Sequence, residues 1–415
     1  MTAGVVIIGG GQGGFETAIR LRANGFQMPV TLISDEDEVP YQRPPLSKSC
    51  LVDGLDRDLL RLRPARYFPD HDITLIRGVA ATAIDRPRQR VLLSDRSHLP
   101  YDHLVLALGA RNRILPVVGA GATGVHYLRT VADADGLQAD LGRCASIAII
   151  GAGFIGLEVA AAARKRGLSV TVIESLARPM ARAVSPIVSD YFLKQHAAHG
   201  VRLATRTGVD TILTERGTVT GIRTTIGEDI HAEAVVVGIG VIPNTELAEE
   251  AGLPTQNGVI VDRQLRTVDQ RIFAIGDCAA FPARSGSELV RLESVQNAVD
   301  HARCVAAQLT TGPDMRYQDI PWFWSQQYSY KLQIAGLTSA ASDFVLRGSF
   351  ESGSFSVFCY QQESLLGVES VNAPHDHLAA RKILAAGMLL TREQSADTGF
   401  DLKSAVKGLA PATAG

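Results

Sequence analysis

The chain has 415 residues, of which 46% are hydrophobic and 20% are charged, and its formal net charge is −2. This composition is typical of a globular protein and excludes a disordered or collagen-like chain. The near-zero net charge argues against a nucleic-acid-binding protein that uses its whole surface. The five cysteines include no CxxC pair, which argues against a zinc ribbon or thioredoxin-type site and favours free thiols in a reducing cytosol.

The N-terminal apolar run has no basic stretch before it, so we do not expect a signal peptide. The longest apolar run, residues 147–163, is interrupted by Glu158 and is shorter than the ~20 residues that span a bilayer. We therefore expect a cytoplasmic protein without a membrane segment. A length of 415 residues is typical of two or three domains.

The first motif follows a short β-branched run at the start of the chain. It fits GxGxxG through Gly9, Gly11 and Gly14, and a second predicted strand at 30–33 leads to Asp35, 21 residues after Gly14. Glycines let the backbone approach a pyrophosphate, the following helix N-terminus attracts it, and the acid accepts hydrogen bonds from ribose hydroxyls. The ordered succession of strand, turn, helix, strand and acid predicts a dinucleotide site, the alternative being a simple glycine-rich turn.

The same pattern recurs 142 residues later through Gly151, Gly153 and Gly156, and Glu174 ends the next predicted strand. Two such units predict two nucleotide-binding domains, between which a hydride passes from a nicotinamide to a flavin. Residues 271–277 form a further predicted strand that ends in Gly276-Asp277. That acid suits a ribityl hydroxyl, although an ordinary strand-end turn is the alternative. A first site built from distant segments suits FAD, and the compact second unit suits exchangeable NAD(P)H.

With these motifs in view, residues 5–384 resemble the FAD-dependent, NADH-using ferredoxin reductases of bacterial oxygenase systems, which are glutathione-reductase-like flavoproteins. Besides the two glycine turns, the resemblance is carried by residues 41–48, 126–130, 238–244, 276–277, 293–298 and 321–327. It implies an α/β fold with two Rossmann-like three-layer nucleotide-binding domains and a small C-terminal α+β domain. The chain departs from the family pattern at Leu108, usually threonine or serine, and at Gln326, commonly aspartate.

The resemblance also implies roles for individual residues. The expected FAD-binding residues are Gly9, Gly11, Gly13, Gly14, Asp35, Arg43, Lys48, Ala81, Arg129, Gly276, Asp277 and Val295. The expected NADH-binding residues are Gly151, Gly153, Ile155, Gly156, Glu158 and Glu174, with Arg182 and Gly240 as further candidates. Trp324 is a candidate flavin neighbour, and an aromatic core residue is the equal alternative.

Lys48 and Glu158 are the expected catalytic pair. By resemblance both approach the nicotinamide and flavin rings and can form an ion pair, in which Lys48 stabilises negative charge on the reduced flavin. The alternatives are a solvated loop lysine and a buried helix acid bonded to backbone.

Cofactor preference and electron exit follow from other residues. An acid at Glu174 accepts from a ribose 2′-hydroxyl and repels a 2′-phosphate, which favours NADH. The downstream Arg178 and Arg182 could instead bind phosphate, or form a solvated turn.

Cys50 lies two residues from Lys48 but has no partner in its segment. Without an internal disulfide relay, electrons must leave the flavin for a one-electron carrier such as a [2Fe–2S] ferredoxin.

Transient electrostatic docking of that ferredoxin could use a basic cluster formed by Arg57, Arg61, Arg63 and Arg66, with Arg303 and Lys331 as weaker candidates. The equal alternative is a helix face paired with Asp56 and Asp58. His375-Asp376-His377 and the pair His196 and His199 lack the further ligands of a metal site, so no metal is expected. We expect a monomer or weak dimer.

The predicted domains are a discontinuous FAD domain (residues 1–109 and 241–316), an NAD domain (110–240) and a C-terminal domain (317–415) whose last ~15 residues are loose. The rival functions are a related reductase with rubredoxin, monodehydroascorbate or oxygen as acceptor, and an NADH-sensing flavoprotein module.

Overall fold

The computed structural model describes residues 3–54, 56–284, 286, 288–312 and 315–407. The chain forms two compact units. Unit 1 comprises Met1–Gln42, Asp56–Arg111 and Val241–Asp319, and unit 2 comprises Arg43–Leu55, Asn112–Gly240 and Ile320–Gly415. The division into three domains with the boundaries given above stays a prediction.

Unit 1 is built on a five-stranded parallel sheet. Across the sheet, its strands are Ile272–Ala274, His103–Leu106, Val5–Ile8, Val30–Ile33 and Ile73–Ile76. Every residue of Val5–Ile8 is buried, as expected for the central strand of a parallel sheet that is covered on both faces. The strand order is that of a mononucleotide-binding half, with the first strand in the middle.

Unit 1 contains further strands and helices besides this sheet. Its remaining strands are Ala81–Asp85, Arg90–Leu93, His98–Pro100, Ala110–Asn112, Val241–Pro243, Val259–Ile260, Ala279–Pro282 and Leu289–Val290. Its helices are Gln12–Ala23, Arg57–Leu60, Tyr67–Asp70, Glu246–Glu250 and Val295–Thr310, with a 3₁₀ turn at Gly276–Cys278. The helices Gln12–Ala23 and Val295–Thr310 pack against each other.

Unit 2 repeats the arrangement. Across its parallel sheet, the strands are Val201–Ala204, Ser169–Ile173, Ser146–Ile150, Ala234–Val237 and Val125–His126. A three-stranded antiparallel sheet follows, formed by Val209–Glu215, Thr218–Thr224 and Asp229–His231. The helices of this part are Ser49–Asp53, Val131–Leu141, Phe154–Lys165 and Pro186–Ala198, with a 3₁₀ turn at Pro44–Ser47.

The C-terminal part of unit 2 is an antiparallel five-stranded sheet with helices. In sheet order, the strands are Trp322–Gln327, Tyr330–Gly336, Ser364–Val371, Ser354–Gln361 and Asp343–Ser349. The helices are Pro374–Ala386, Arg392–Ala396 and Leu402–Lys407. Phe358, Tyr360 and Ile383 are fully buried in its core. The predicted class, two Rossmann-like domains with a small α+β domain, is confirmed.

The bounds of two predicted elements differ from the structure. The first helix, Gln12–Ala23, begins inside the glycine motif and not after it. Gly14 in its first turn has no room for a side chain, because the backbone of Gly9 lies against it. Of the last 15 residues, Leu402–Lys407 form a helix, so the expectation of a loose end is wrong there. Residues 408–415 lie outside the described residues.

One glycine in each motif is required by close backbone approach. A Cβ at Gly14 would lie 2.0 Å from the carbonyl oxygen of Gly9, and a Cβ at Gly156 would lie 2.1 Å from that of Gly151. Both contacts are with backbone, which cannot rotate away as a side chain can. The third glycine therefore lets each helix start directly against its strand-end turn.

We predict that Gly156→Ala lowers the stability of the protein by about 1–3 kcal/mol, the usual cost of overpacking, and that thermal unfolding shows a lower Tm. Gly153→Ala is the matched control, because the nearest atom to its added Cβ is 4.0 Å away. An unchanged Tm for Gly156→Ala would contradict the proposed steric requirement.

Candidate functional site

The first glycine turn of unit 1 presents open backbone at its second glycine. A Cβ added at Gly11 would meet no atom within 4 Å, although Gly14 three residues later is closely packed. The helix that starts here at Gln12 has no side-chain cap, so its first N–H groups remain available for an anion. This is the arrangement that a pyrophosphate needs.

Asp35 and Ala81 lie near the same end of the sheet in unit 1. Asp35 follows the strand Val30–Ile33 and is exposed, so its carboxylate can accept hydrogen bonds from a ribose. The amide of Val79 donates to the carbonyl of Ser34 at 3.1 Å, which brings the chain just before Ala81 beside the residue that precedes Asp35.

The Gly276-Asp277 motif is held by a residue that the sequence analysis missed. Gly276 has φ +67°, and its amide donates to Nδ1 of His301 at 3.1 Å. Burial lowers the pKa of His301 to about 3, so the imidazole stays neutral and can accept this bond. The chain offered no spacing signal for His301, since it lies 25 residues from Gly276.

The other expected flavin residue of unit 1 is Val295. It is the first residue of the helix Val295–Thr310, and the Ser294 hydroxyl caps that helix by accepting from the amide of Asn297 at 3.0 Å. The amide of Val295 therefore belongs to the helix's unpaired first turn. An open glycine turn, an exposed strand-end acid and this helix N-terminus together fit a bound FAD.

The second glycine turn, in unit 2, has the same properties. The nearest atom to a Cβ added at Gly153 is 4.0 Å away, and nothing lies within 4 Å of one added at Gly240. Ile155 is 41% exposed. These residues leave accessible backbone around the N-terminus of the helix Phe154–Lys165, which fits the pyrophosphate of NADH.

Glu174 closes one side of this turn. Its Oε2 accepts from the amide of Ala152 at 2.8 Å, and its Oε1 accepts from the amide of Leu176 at 2.8 Å. The carboxylate is nearly buried, with 9% of the residue exposed. Two backbone donors thus fix the acid at the strand end, where an adenosine ribose is expected.

The two arginines downstream of Glu174 differ. The guanidinium of Arg178 donates to the carbonyls of Val184 at 2.9 Å and Ala181 at 3.0 Å, so it closes its own loop. Arg182 is exposed. Of the two, Arg182 is the one placed to meet a ligand.

The end of the loop that carries Arg182 is hydrogen-bonded to a buried acid, which the sequence motifs did not indicate. Glu369, which is fully buried, accepts from the amide of Ser185 at 2.9 Å and from its hydroxyl at 2.6 Å. Ser185 caps the helix Pro186–Ala198. The C-terminal sheet therefore holds the end of the loop that carries Arg182.

Lys48 and Glu158 form an ion pair in unit 2. Their Nζ and Oε2 atoms are 2.7 Å apart, with 23% of the lysine side chain and 4% of the glutamate side chain exposed. Nζ also donates to the carbonyl of Pro44 at 3.0 Å. The nearby Arg43 donates to the carbonyl of Arg129 at 2.7 Å. Of the expected residues, the structure thus brings together Arg43 with Arg129 and Lys48 with Glu158.

Two serines complete the surroundings of Glu158. The Ser47 hydroxyl donates to Oε2 at 2.6 Å, and the Ser325 hydroxyl donates to Oε1 at 2.7 Å. The amide of Gln326 adds a longer bond of 3.4 Å to Oε1. This amide contact is independent of the side chain at 326, where the family pattern has aspartate. Both oxygens of Glu158 are therefore hydrogen-bonded, as the burial of a carboxylate requires.

Trp324 and Leu108 complete the expected positions. Trp324 is half-buried in the strand Trp322–Gln327, with its ring 5.5 Å from that of Trp322. The carbonyl of Leu108 accepts from the side-chain amide of Asn244 at 2.9 Å. Residue 108 is therefore hydrogen-bonded through its main chain, although it lacks the hydroxyl of the threonine or serine that is usual in the family.

All five cysteines lie in the described residues, and all are free. Burial raises the pKa of each thiol, to about 11 for Cys278 and Cys304. Cys50, close to Lys48 in the chain, is 4% exposed. A raised pKa disfavours the reactive thiolate.

Within the described residues, no group of three or more His, Cys, Asp or Glu side chains could hold a metal ion. No described helix is both long enough and apolar enough to cross a membrane.

Comparison with known proteins assigns the chain to a family. Residues 3–302 match the pyridine nucleotide-disulphide oxidoreductase family, and residues 322–406 match the reductase C-terminal family. The chain is 59% identical to rhodocoxin reductase of Rhodococcus erythropolis, over 97% of this chain and 94% of that protein.

Two solved structures are closely similar. The ferredoxin reductase for the CYP199A2 system from Rhodopseudomonas palustris has a TM-score of 0.95 and 47% identity, covering 98% of this chain and 100% of that chain. The reductase in the covalent putidaredoxin reductase–putidaredoxin complex has a TM-score of 0.94 and 37% identity, covering 98% and 99%. The predicted use of FAD and NAD(H) is confirmed by the family. The chain belongs to the pyridine nucleotide-disulphide oxidoreductase family and is an FAD-dependent oxidoreductase.

Proposed function

We propose that this protein takes a hydride from NADH onto FAD and passes the electrons singly to a [2Fe–2S] ferredoxin that feeds an oxygenase. The ferredoxin binds transiently, and the reductase acts as a monomer or weak dimer in the cytoplasm. The chain's own residues bind the two nucleotides, hold a positive charge where the hydride arrives, and dock the acceptor.

The main support for this proposal is that the cysteines form no disulfide. Five free thiols with raised pKa values, four of them buried, provide no disulfide that could take electrons from the flavin. Electrons on such a protein must leave for an external acceptor. The solved relatives described above are named for ferredoxin and putidaredoxin, which supports a small redox protein as that acceptor.

NADH is the preferred donor in this proposal. The carboxylate of Glu174 is held at the strand end by two amides, where a 2′-phosphate would meet its negative charge. Arg178 is committed to backbone carbonyls of its own loop, so it does not offer a second phosphate-binding cation.

Lys48 is the proposed source of the positive charge. Glu158 holds its ammonium at 2.7 Å, and the Pro44 carbonyl holds it at 3.0 Å. A fixed charge stabilises developing negative charge better than a mobile one, because no reorganisation is needed during the reaction.

The basic cluster of unit 1 is partly neutralised by local acids. Arg57 pairs with Glu38, and Arg61 pairs with Asp58. Asp56 instead caps the helix Arg57–Leu60. The alternative of a helix face paired with Asp56 and Asp58 thus fits Arg61, whereas Arg57 pairs with an acid outside that helix.

Arg63 and Arg66 are the members of the cluster left for a partner. Both are exposed, and within the described residues neither forms an ion pair. Arg63 lies over the ring of Tyr67, 5.5 Å from its centroid. We propose that these two guanidinium groups steer an acidic ferredoxin.

We predict that Lys48→Met slows flavin reduction by NADH at least about tenfold, because the preorganised charge is lost. Glu158→Gln slows it as well, because it frees the lysine. Rapid mixing under anaerobic conditions measures both. Lys165→Met is the control, since Lys165 is exposed and lies on the same helix as Glu158. Unchanged reduction in Lys48→Met would remove the proposed role.

The acceptor is tested by NADH-driven reduction of several purified [2Fe–2S] ferredoxins, a rubredoxin, monodehydroascorbate and oxygen. We predict that an acidic ferredoxin is reduced fastest, with a rate that falls as salt screens the docking charges. Arg63→Glu with Arg66→Glu raises the KM for ferredoxin about fivefold or more and leaves flavin reduction unchanged.

Arg96→Glu with Arg271→Glu is the matched control, since it makes the same change in charge at two exposed arginines of the same unit. Faster turnover with rubredoxin, monodehydroascorbate or oxygen than with any ferredoxin would show that the acceptor is not a ferredoxin. A long-lived complex with NADH that reduces no acceptor would indicate a sensor module instead.

A further inference from the structure

A chain of buried polar residues leads from Glu158 into the interior of unit 2. Ser325, Gln327 and His196 are fully buried, with 0% exposure each. Ser325 and Gln327 alternate with exposed Gln326 on one strand, so both side chains point to the same face. His196 lies on the helix Pro186–Ala198.

Hydrogen bonds join these residues in series. The hydroxyl of Ser325 donates to Oε1 of Glu158 at 2.7 Å, and Nε2 of Gln327 donates to the Ser325 hydroxyl at 3.3 Å. Oε1 of Gln327 lies 2.9 Å from Nε2 of His196. The hydroxyl of Tyr328 lies 3.2 Å from Nδ1 of His196.

These contacts have one consistent direction. Because Oε1 of Gln327 can only accept, Nε2 of His196 carries the proton of that bond. Burial lowers the pKa of His196 to about 4, so the ring is neutral and its Nδ1 accepts from Tyr328. Each donor then points along the chain toward the carboxylate of Glu158, and each bond polarises the next.

The chain orients groups and does not conduct protons. A side-chain amide lies in its middle, and an amide donates and accepts without readily exchanging its protons. Its effect is to fix the Ser325 hydroxyl on one oxygen of Glu158, opposite the oxygen that bonds Lys48 and Ser47. Without it, Oε1 keeps only the 3.4 Å bond from Gln326.

We propose that Ser325, Gln327 and His196 are positioning residues that hold Glu158, and through it Lys48, in the geometry used for hydride transfer. The inference rests on the proposed function, because it assumes that the Lys48–Glu158 pair acts in flavin reduction. Ser325 and Gln327 lie within the motif 321–327, but the motif gives neither of them a role, since their bonds to Glu158 and His196 join positions more than 100 residues apart.

The test is a double-mutant cycle in the FAD-loaded protein. Ser325→Ala is expected to lower the flavin-reduction rate constant at saturating NADH roughly tenfold, the value of a hydrogen bond to a charged group. Gln327→Met is expected to lower it about threefold. The NADH dissociation constant should stay within about twofold in both, because positioning acts on the reacting state.

The same substitution is then made in Glu158→Gln. If Ser325 acts through Glu158, Ser325→Ala costs less than about twofold in that background. Ser356→Ala is the matched control: Ser356 is equally buried in the same sheet, and its hydroxyl bonds Ser370 and Asp376. It should leave the rate constant and the dissociation constant unchanged.

Two readouts do not depend on turnover. The Tm values of the four cycle members should be non-additive, and the ¹⁵N spectrum of His196 should show a neutral ring with its proton on Nε2 that shifts in Gln327→Met. Ser325→Cys, which leaves no cavity and whose thiol donates only weakly, replaces Ser325→Ala if that variant does not fold.

An equal effect of Ser325→Ala in both backgrounds, or no effect at all, would overturn the positioning role. If Glu158→Gln itself leaves flavin reduction unchanged, the proposed role of the ion pair fails instead. The Tm cycle and the His196 spectrum still report on the chain of hydrogen bonds in that case.

Discussion

The carboxylate of Glu158 is the constraint on which much of unit 2 depends. Its helix starts at the second glycine turn, and its side chain is buried where an unpaired charge would cost several kcal/mol. The donors that satisfy it come from residues 47–48 and from the strand Trp322–Gln327. Both of these distant segments belong to unit 2. A single buried charge thus ties the candidate catalytic lysine to the C-terminal sheet and to the helix Phe154–Lys165.

The two glycine turns meet the same steric requirement, but the acids at the ends of the strands that follow them differ in exposure and hydrogen bonding. Gly14 and Gly156 are each required by a backbone oxygen about 2 Å from a would-be Cβ. The acids that follow differ, because Asp35 is exposed whereas Glu174 is nearly buried and bonded by two amides. The acid of the second unit is therefore fixed before any ligand arrives, which suits discrimination between closely related nucleotides.

Local patterns made part of this site predictable. The glycine turns and both parallel sheets follow from spacing and β-branched runs, and the resemblance supplied Lys48 and Glu158. The missed residues are ordinary by themselves. Ser325 is one serine in a strand, and His301 is one histidine in a helix; each acquires its role from a partner remote in sequence. His196 was considered only as a possible metal ligand, whereas its Nε2 contacts Gln327, 131 residues away.

The route by which electrons leave is the central claim of this account. The family takes its name from disulfide chemistry, yet the five thiols of this chain are free, four of them are buried, and all five have raised pKa values. Anaerobic titration of the FAD-loaded protein with NADH tests the claim most directly. The account predicts that one equivalent of NADH per FAD bleaches the flavin completely and that no further electrons are taken up. Uptake of two equivalents per FAD, with a thiolate-to-flavin charge-transfer band at the midpoint, would show an internal disulfide and contradict it.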